Sequence, residues 1–312
     1  SAFLNVCQTL ESISIDSPRA IGRYGSNNSY DSYLGRDGIR RYYKSYQGLH
    51  FGRFNNETNQ AYNVTAFQCP KLETIIIGDN VISVGDYAFD ASSDFSSLTS
   101  LTLGSGLTSI GNYAFNGPTN LTSVTIPDSV TSIGSGAFNG ATALTSLTLG
   151  SGLTVIGNNA FQNTGLTSVT IPDSVTSIGS YAFEGAANLS SVNIPALVTT
   201  IGDSAFQDTG LTSVTIPDSV TSIGNNAFRR AALTSLTLGS GVKTIGSEAF
   251  FQSDITVLTI PDSVTSIALR AFGDIPLKTL VIGNGLNNQT DVGTSAFLNV
   301  CQTLESISID SP

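Results

Sequence analysis

Four aspartates recur at nearly equal intervals along the chain, and a row of carboxylates is a candidate site for Ca²⁺. Asp128, Asp173, Asp218 and Asp262 lie 45, 45 and 44 residues apart, and each directly follows a proline. Such an interval spans two units of a short repeat and would separate neighbouring carboxylates by about 10 Å, whereas Ca²⁺ holds its ligands at about 2.3–2.6 Å. We therefore interpret these aspartates as turn residues and expect no metal site.

Other residue types that serve in catalysis are sparse. The single histidine, His50, has no neighbouring cysteine or second histidine, so we interpret it as a surface residue rather than a catalyst or metal ligand. Gly-Ser-Gly at 104–106 and 150–152 marks turns rather than a phosphate-binding loop. Serine is abundant, but a serine nucleophile needs a base and none is placed to serve it. The sequence predicts no enzymatic activity and no cofactor.

A repeat of about 23 residues must position these side chains. The segment LTSVTIPDSVTSIG at 121–134 recurs unchanged at 166–179 and 211–224, and looser copies begin at residues 98, 144, 233 and 255. A unit of this length is too short to fold alone and is typical of one turn of a leucine-rich solenoid. The register is set by Ala-Phe pairs whose phenylalanines are spaced 22 to 26 residues apart: Phe67, Phe89, Phe115, Phe138, Phe161, Phe183, Phe206, Phe228, Phe250, Phe272 and Phe297.

Each repeat carries the pattern of a short strand. Val124 and Ile126 are two residues apart, which places both on the inner face of a strand and Ser123 and Thr125 on the outer face. A second extended stretch is expected over 129–133. We interpret the outward Ser and Thr residues as strand formers that keep the surface soluble, with ice binding, glycan binding and O-glycosylation as the alternatives.

The frame LTSVTIPDSVTSIGxxAF resembles the BspA-like, Treponema-type leucine-rich repeat, in which an L-x-x-V-x-I-P strand is followed by an I-G-x-x-A-F return. The resemblance covers residues 66–312 without a break and residues 1–22 with one interruption. It implies a leucine-rich repeat solenoid with one short parallel strand per turn, an extracellular surface location, a role in adhesion and no enzymatic activity. The cysteine that usually follows the phenylalanine in this family is replaced in most repeats here.

The two ends of the chain carry the same sequence. Residues 1–18, SAFLNVCQTLESISIDSP, are identical to residues 295–312, so the chain reads as slightly more than one copy of a 294-residue unit of about eleven turns. We expect a first turn over 1–22, an insertion over 23–65 that adds about 41 residues, and a continuous solenoid over 66–312. We also expect the chain to derive from a longer precursor. Passing the last turn in register to the next copy predicts a fibre, in which the copies either follow one another in tandem in one chain or dock end to end as a homopolymer.

The insertion differs in chemistry from the repeats. Seven of the 13 basic residues lie between Arg19 and Arg53, interleaved with tyrosines, although the whole chain has a net charge of −10. Arg and Tyr are enriched at protein interfaces, so the insertion is a candidate contact with a neighbouring unit. The alternative is a loop that packs on its own solenoid, and the acidic remainder argues against nucleic acid. The candidate contact residues are Arg36, Arg40, Arg41, Tyr42, Tyr43 and Tyr46.

Cysteines and glycosylation sequons are the candidate modification sites. Cys7 and Cys69 occupy comparable places on adjacent predicted turns, so a disulfide between them would clamp the base of the insertion. Cys301 duplicates Cys7 and would pair with the next unit, and the alternative is that these are buried free thiols. Sequons of the Asn-x-Ser/Thr type predict N-glycosylation at Asn27, Asn56, Asn63, Asn120, Asn188 and Asn288.

The function predicted from these features is structural. No apolar run approaches the roughly 18 residues of a membrane-spanning helix. We expect a non-enzymatic extracellular glycoprotein that builds a surface fibre by end-to-end stacking of its solenoids. The alternative is a cell-surface adhesin that binds a host protein, such as a matrix component, or a glycan through its concave Ser/Thr face or through the insertion.

Overall fold

The computed structural model describes residues 12–15, 31–34, 40–43, 72–90, 97–286 and 292–309. Its regular secondary structure is one 3₁₀ helix, Val300–Gln302, and 23 short strands within these residues. The strands are β1 (Ser12–Ile15), β2 (Asp31–Leu34), β3 (Arg40–Tyr43), β4 (Thr74–Ile77), β5 (Ser83–Val84), β6 (Ser100–Leu103), β7 (Ser109–Ile110), β8 (Ser123–Thr125), β9 (Ser132–Ile133), β10 (Ser146–Thr148), β11 (Val155–Ile156), β12 (Ser168–Val169), β13 (Ser177–Ile178), β14 (Ser191–Val192), β15 (Thr200–Ile201), β16 (Ser213–Thr215), β17 (Ser222–Ile223), β18 (Ser235–Thr237), β19 (Thr244–Ile245), β20 (Val257–Ile260), β21 (Ser266–Ile267), β22 (Thr279–Ile282) and β23 (Ser306–Ile309).

The first strand of each turn lies on one side of a parallel β-solenoid with turns of about 23 residues, which confirms the predicted fold. From β1 to β22 the described residues contain eleven such strands, and β23 begins the duplicated turn. They pair in parallel as β1-β4-β6, β8-β10, β12-β14, β16-β18 and β20-β22-β23. The ladder is interrupted before β8, β12, β16 and β20, four of the five first strands that run into Ile-Pro, and proline has no N–H to donate.

The strands β1 and β4 are neighbours in one sheet, with Ser12 opposite Thr74. The segment predicted as the insertion therefore leaves and rejoins the solenoid between adjacent strands. It contains the antiparallel hairpin of β2 and β3, in which Asp31 lies opposite Tyr43. The three-part division of the chain stays a prediction.

The second side of the solenoid is a continuous nine-stranded parallel sheet. It consists of two-residue strands in the order β5-β7-β9-β11-β13-β15-β17-β19-β21, and a further bridge joins Ile267 to Val292. The strand β9, Ser132–Ile133, lies in the second extended stretch expected over 129–133. In this sheet the second residue of each strand, an isoleucine or Val84 in β5, is buried, as Ile133 is.

The core is organised around a stack of phenylalanine rings. Ten of them, from Phe89 to Phe297, stack in sequence with centroids 5.2–5.6 Å apart and ring planes within 14° of each other. Offset stacking of this kind stabilises beyond simple burial. In the central repeat, Leu121, Val124 and Ile126 are also buried, which confirms the predicted inner face.

The third side consists of tight turns held by the neighbouring turn. The residue before each Ala-Phe pair has a positive φ, for example Tyr113 at 51°, a conformation that costs a non-glycine residue about 1–2 kcal/mol. Backbone hydrogen bonds between turns offset this cost, as when Phe115 N–H donates to the Ala137 carbonyl at 2.9 Å. At Gly136 a Cβ would lie 2.4 Å from the Tyr113 ring, so glycine leaves room for that ring.

Among the described residues, no helix has the length and apolar character that crossing a membrane requires.

Candidate interaction surfaces

The predicted modification and contact residues are only partly within the described structure. Asn120 and Asn188 lie exposed in the turns before β8 and β14. The contact candidates of residues 40–43 form β3, and Cys301 lies in the 3₁₀ helix. Outside the described residues lie Cys7, Cys69, Asn27, Asn56, Asn63, Asn288, Arg36, Tyr46 and His50. Glycosylation, the disulfide pairing and the contact role stay predictions.

The recurring aspartates fasten one turn to the next. Asp128 Oδ1 accepts hydrogen bonds from the Ser151 backbone N–H at 2.7 Å and from the Ser151 hydroxyl at 3.0 Å. The same arrangement joins Asp218 to Ser240, at 2.6 and 3.0 Å. The backbone N–H first, and then the hydroxyl, lower the pKa of Asp128 and Asp218 below the usual aspartate value. In the turn after Asp173, the position that corresponds to Ser151 is Ala196, which has no hydroxyl to donate.

A second polar ladder follows each Ile-Gly and was not predicted from the sequence. Asn112 Oδ1 accepts the Ser135 N–H at 2.8 Å, and Asp203 Oδ1 accepts the Asn225 N–H at 2.7 Å. In the sequence, these bonds could be recognised only by an Asn, Asp or Ser directly after Ile-Gly. Because the chain is rich in Ser and Asn, such a residue looks the same as an ordinary solvent-exposed polar residue. Within the described residues, no three His, Cys, Asp or Glu side chains converge to hold a metal ion.

Hydroxyl groups on the surface fall into two classes. Threonines just before several of the strands use their hydroxyls inside the solenoid: Thr154 Oγ1 donates to the Thr131 carbonyl at 2.9 Å, and Thr234 Oγ1 donates to the Thr212 carbonyl at 3.1 Å. The outward Ser and Thr residues of the first strands from β8 to β18 are exposed and have no side-chain hydrogen bond in the described solenoid. We call this set the hydroxyl face: Ser123, Thr125, Ser146, Thr148, Ser168, Thr170, Ser191, Ser213, Thr215, Ser235 and Thr237.

The hydroxyl face has a regular two-dimensional spacing. Ser146 lies opposite Ser123 and Thr148 opposite Thr125 in the parallel register. Neighbouring hydroxyls are therefore about 4.8 Å apart across strands and about 6.8 Å apart along a strand. Asn193 interrupts the pattern, because its side chain bonds the Ile171 N–H at 2.7 Å and the Ile171 carbonyl at 2.8 Å. Such a face can exchange hydrogen bonds with a ligand but offers no acid or base for catalysis.

A different surface lies at the last described turn. In β23, Ile307 is 58% exposed and Ile309 is 68% exposed, whereas Leu258 and Ile260, two strands back in the same register, are 0% and 1% exposed. Phe297 and Leu304 of this turn are half-buried, and Phe297 stacks on Phe272 from one side. We call Phe297, Leu304, Ile307 and Ile309 the terminal face. Within the described residues, no further strand or phenylalanine ring packs on this cross-section of the core.

Arginines on the side of the solenoid form ion pairs with carboxylates of neighbouring turns. Arg230 Nε and an Arg230 terminal nitrogen donate to the two oxygens of Asp208 at 2.6 and 2.7 Å. This bidentate bond lowers the pKa of Asp208 and raises the pKa of Arg230. Arg229 lies 3.1 Å from Glu248 and its guanidinium lies over the Phe251 ring at 5.6 Å. The rest of the wall keeps its acidic character.

Comparison with known proteins agrees with the repeat architecture. A family model for the BspA type leucine-rich repeat region, with six copies, matches residues 60–190 and 199–312. A leucine-rich repeat protein from Bacteroides ovatus is similar in structure, with 25% sequence identity over 91% of this chain and 70% of that chain and a TM-score of 0.64. The pneumococcal vaccine antigen PcpA shares the fold, with 22% identity over 84% of this chain and 72% of that chain and a TM-score of 0.51. No curated protein gives a significant match.

Proposed function

The chain belongs to the BspA-type leucine-rich repeat family, and from this we propose that it is a non-enzymatic extracellular repeat protein whose solenoid units stack end to end into a surface fibre. The observation that supports stacking most directly is the repeated sequence. Residues 295–312 are identical to residues 1–18, and the strand of each copy pairs in parallel within the solenoid, β1 with β4 and β23 with β22. The last turn is therefore of the kind with which a unit begins, and turns of a solenoid stack on one another.

Charge also favours contact at the ends over contact along the sides. The chain carries a net charge of −10, so parallel alignment of two acidic walls is opposed by like-charge repulsion. The terminal face is apolar, and its one nearby ion pair, Lys278 with Glu305 at 3.1 Å, is already formed within the chain. End contact therefore buries apolar surface without bringing the acidic walls together.

The surface location rests on the family and on the sequons. Asn120 and Asn188 are exposed in turns, where an oligosaccharide would project into solvent. Antibody labelling of intact cells of the source organism tests the location. Labelling without permeabilisation supports it, and labelling only after permeabilisation would exclude it.

Light scattering of the full chain tests the stacking. A stacking unit gives a mass-average molecular mass that rises with protein concentration above the 32.4 kDa of one chain. A mass that stays at that of one chain over the whole accessible concentration range would contradict a fibre.

The second candidate function is adhesion through the hydroxyl face, and a specific observation favours it. Hydroxyls of Ser146 and Thr148 make no hydrogen bond within the solenoid, although Thr145, next to them, donates to the Thr122 carbonyl at 3.4 Å. Free hydroxyls in register suit a polar partner such as a glycan or a matrix protein.

An array of glycans and matrix proteins tests this second function. Ser146→Ala with Thr148→Val removes two hydroxyls from the hydroxyl face at nearly constant shape and should weaken a bound partner. The matched control is Thr142→Val, since Thr142 is exposed in a turn away from this face. Equal loss in both variants, or no bound partner at all, would argue against adhesion through this face.

A further inference from the structure

At three of its four interruptions, the ladder of first strands leaves backbone groups without a partner. These gaps lie between β10 and β12, between β14 and β16, and between β18 and β20, and we call them the seams. In each seam, the N–H and the carbonyl of one residue have no hydrogen bond within the described residues: Leu149, Ile194 or Leu238. The seams follow one another at intervals of 45 and 44 residues, which is two turns or about 10 Å along the solenoid.

Proline is the reason that the seam carbonyls lack a donor. Where a glycine follows the next strand, its N–H can complete the ladder, as when Gly283 donates to the Ile260 carbonyl at 2.8 Å. The corresponding residues of the three seams are Pro172, Pro217 and Pro261, which have no N–H. The seam carbonyls therefore need a hydrogen bond from water or from a ligand.

One strand that runs into proline closes its gap with a side chain. The strand β14 is followed by Ile194 and Pro195, yet it pairs with β12. Asn193 Oδ1 accepts the Ile171 N–H at 2.7 Å, and Asn193 Nδ2 donates to the Ile171 carbonyl at 2.8 Å. An acceptor and a donor held side by side thus satisfy both groups of one residue. At the seams, the position of Asn193 is held by an exposed threonine: Thr170, Thr215 or Thr259.

We propose that the seams bind a neutral, linear glycan through pairs of adjacent hydroxyls, of which one accepts the seam N–H and the other donates to the seam carbonyl. This inference rests on the second candidate function, adhesion through the hydroxyl face, and names its ligand class. Hydroxyls on neighbouring carbons of a sugar ring supply the donor and acceptor that the Asn193 carboxamide supplies to Ile171. A peptide backbone does not, since its trans amide points the N–H and the C=O in opposite directions.

Spacing and charge restrict the glycan further. In an extended glycan whose successive rings face opposite ways, the same hydroxyls recur at every second ring, over a length close to the two turns between seams. An extended peptide instead repeats over about 6.6–6.8 Å. Each seam proline is directly followed by an aspartate, Asp173, Asp218 or Asp262, so a sulfated or carboxylated glycan would meet like charge.

Calorimetric titration of the full chain with cellohexaose tests the ligand class. Its six glucose rings match three seams at two rings each, and its internal rings have two adjacent free hydroxyls. The matched ligand is laminarihexaose, a linear glucose hexamer whose internal rings have no adjacent free hydroxyls. We expect the wild type to bind cellohexaose and to bind laminarihexaose at least about tenfold more weakly.

Filling the seams tests the site. In the triple variant Thr170→Asn, Thr215→Asn and Thr259→Asn, each new carboxamide can bond the free groups of its seam as Asn193 does between β12 and β14. We expect this variant to bind cellohexaose at least about tenfold more weakly than the wild type. The Ile194 amide should exchange its hydrogen more slowly in the variant, which shows that the seam is filled.

A double variant controls for the loss of threonine hydroxyls. Thr148→Asn with Thr237→Asn makes the same change on the hydroxyl face, at strands that already pair with the preceding turn. There the facing N–H groups are bonded, since Ile126 donates to the Thr148 carbonyl at 2.8 Å and Ile216 to the Thr237 carbonyl at 2.9 Å. This control should bind cellohexaose as the wild type does.

The outcomes separate this inference from the proposed function. Weaker binding of cellohexaose by the triple variant alone, with slower exchange at Ile194, supports the seam site. Equal binding by the triple variant and the double control overturns it, while adhesion through the hydroxyl face stands. Unchanged exchange at Ile194 also overturns it, because the comparison with Asn193 then fails. A wild type that binds neither hexamer, or both equally, overturns the inference, and a matrix protein bound in the array would then still support adhesion.

Discussion

Removing one ring from the phenylalanine stack should be among the most damaging single changes in this molecule. Phe183 is fully buried and stacks on Phe161 at 5.5 Å and on Phe206 at 5.4 Å between ring centroids. Deleting a buried phenylalanine side chain costs about 3–5 kcal/mol in free energy of unfolding. Since such costs include the contacts of the ring, two stacking contacts of about 0.5–1.5 kcal/mol each place Phe183→Ala at the upper end of this range, at about 4–5 kcal/mol.

Two companion variants separate burial from stacking. Phe183→Leu keeps most of the apolar volume but removes both ring contacts, and its expected cost is about 1–3 kcal/mol. Phe297→Ala removes a half-buried ring with a single stacking partner, Phe272 at 5.5 Å, and its expected cost is about 1–2 kcal/mol. Phe183→Ala should cost more than Phe297→Ala because Phe183 contacts rings in two neighbouring turns, and more than Phe183→Leu because leucine keeps most of the buried apolar volume.

Urea unfolding, followed by far-ultraviolet circular dichroism and by tyrosine fluorescence, measures these losses. The chain has ten tyrosines and no tryptophan, so tyrosine is the natural probe. Because a repeat array is held by contacts between neighbours, loss of a central ring should also separate the transition of the two flanking segments. A loss below about 1 kcal/mol for Phe183→Ala, or a loss equal to that of Phe297→Ala, would refute the central role of the stack.

Three further predictions follow from the turns and from the charge. Gly150→Ala should lower the free energy of unfolding by about 1–3 kcal/mol, because the new Cβ would lie 2.3 Å from the Pro127 carbonyl oxygen. An unchanged midpoint of thermal unfolding would show that this turn accommodates a Cβ without strain. The pKa of Asp128 is lowered mainly by the Ser151 N–H, so the stability it contributes is present above the unfolded-state pKa of about 4 and is lost as the pH falls through the folded-state pKa. Ser151→Ala should raise the pKa of Asp128 in a carboxyl NMR titration, whereas an unmoved pKa would mean that the hydroxyl does not contribute. Self-association should strengthen with added salt, because the chain carries a net charge of −10, and light scattering that falls with salt would point to ionic contacts instead.

The repeat pattern was sufficient to predict the fold because its signals are local. The two-residue spacing of Val124 and Ile126 predicts a strand, and the Ala-Phe spacing predicts the turn length; both residues of the strand are buried and the phenylalanines stack. The side-chain bonding between β12 and β14 is not a local property. Asn193 bonds the N–H and the carbonyl of Ile171 in the preceding turn, which the sequence of one turn does not reveal.

The surfaces were predictable only in part. The identity of 1–18 and 295–312 predicts that units stack, but the exposure of Ile307 and Ile309 comes from the structure. Which hydroxyls bond within the solenoid and which lie free on the hydroxyl face was not predictable, because Thr145 and Thr148 are the same residue type three positions apart. Their difference arises from alignment with the preceding turn, where only Thr145 reaches a carbonyl. The positive φ of Tyr113 was not predictable either, because tyrosine has no preference for a left-handed backbone conformation and the neighbouring turns impose it.

Negative-stain electron microscopy of the native protein tests end-to-end stacking most directly. Eleven turns at about 4.8 Å predict filaments with an axial repeat of roughly 50 Å, shortened by any curvature of the solenoid. Filaments with a repeat at or below that length in the wild type are the predicted result. Separate rods of one unit in the wild type at every concentration would contradict the account.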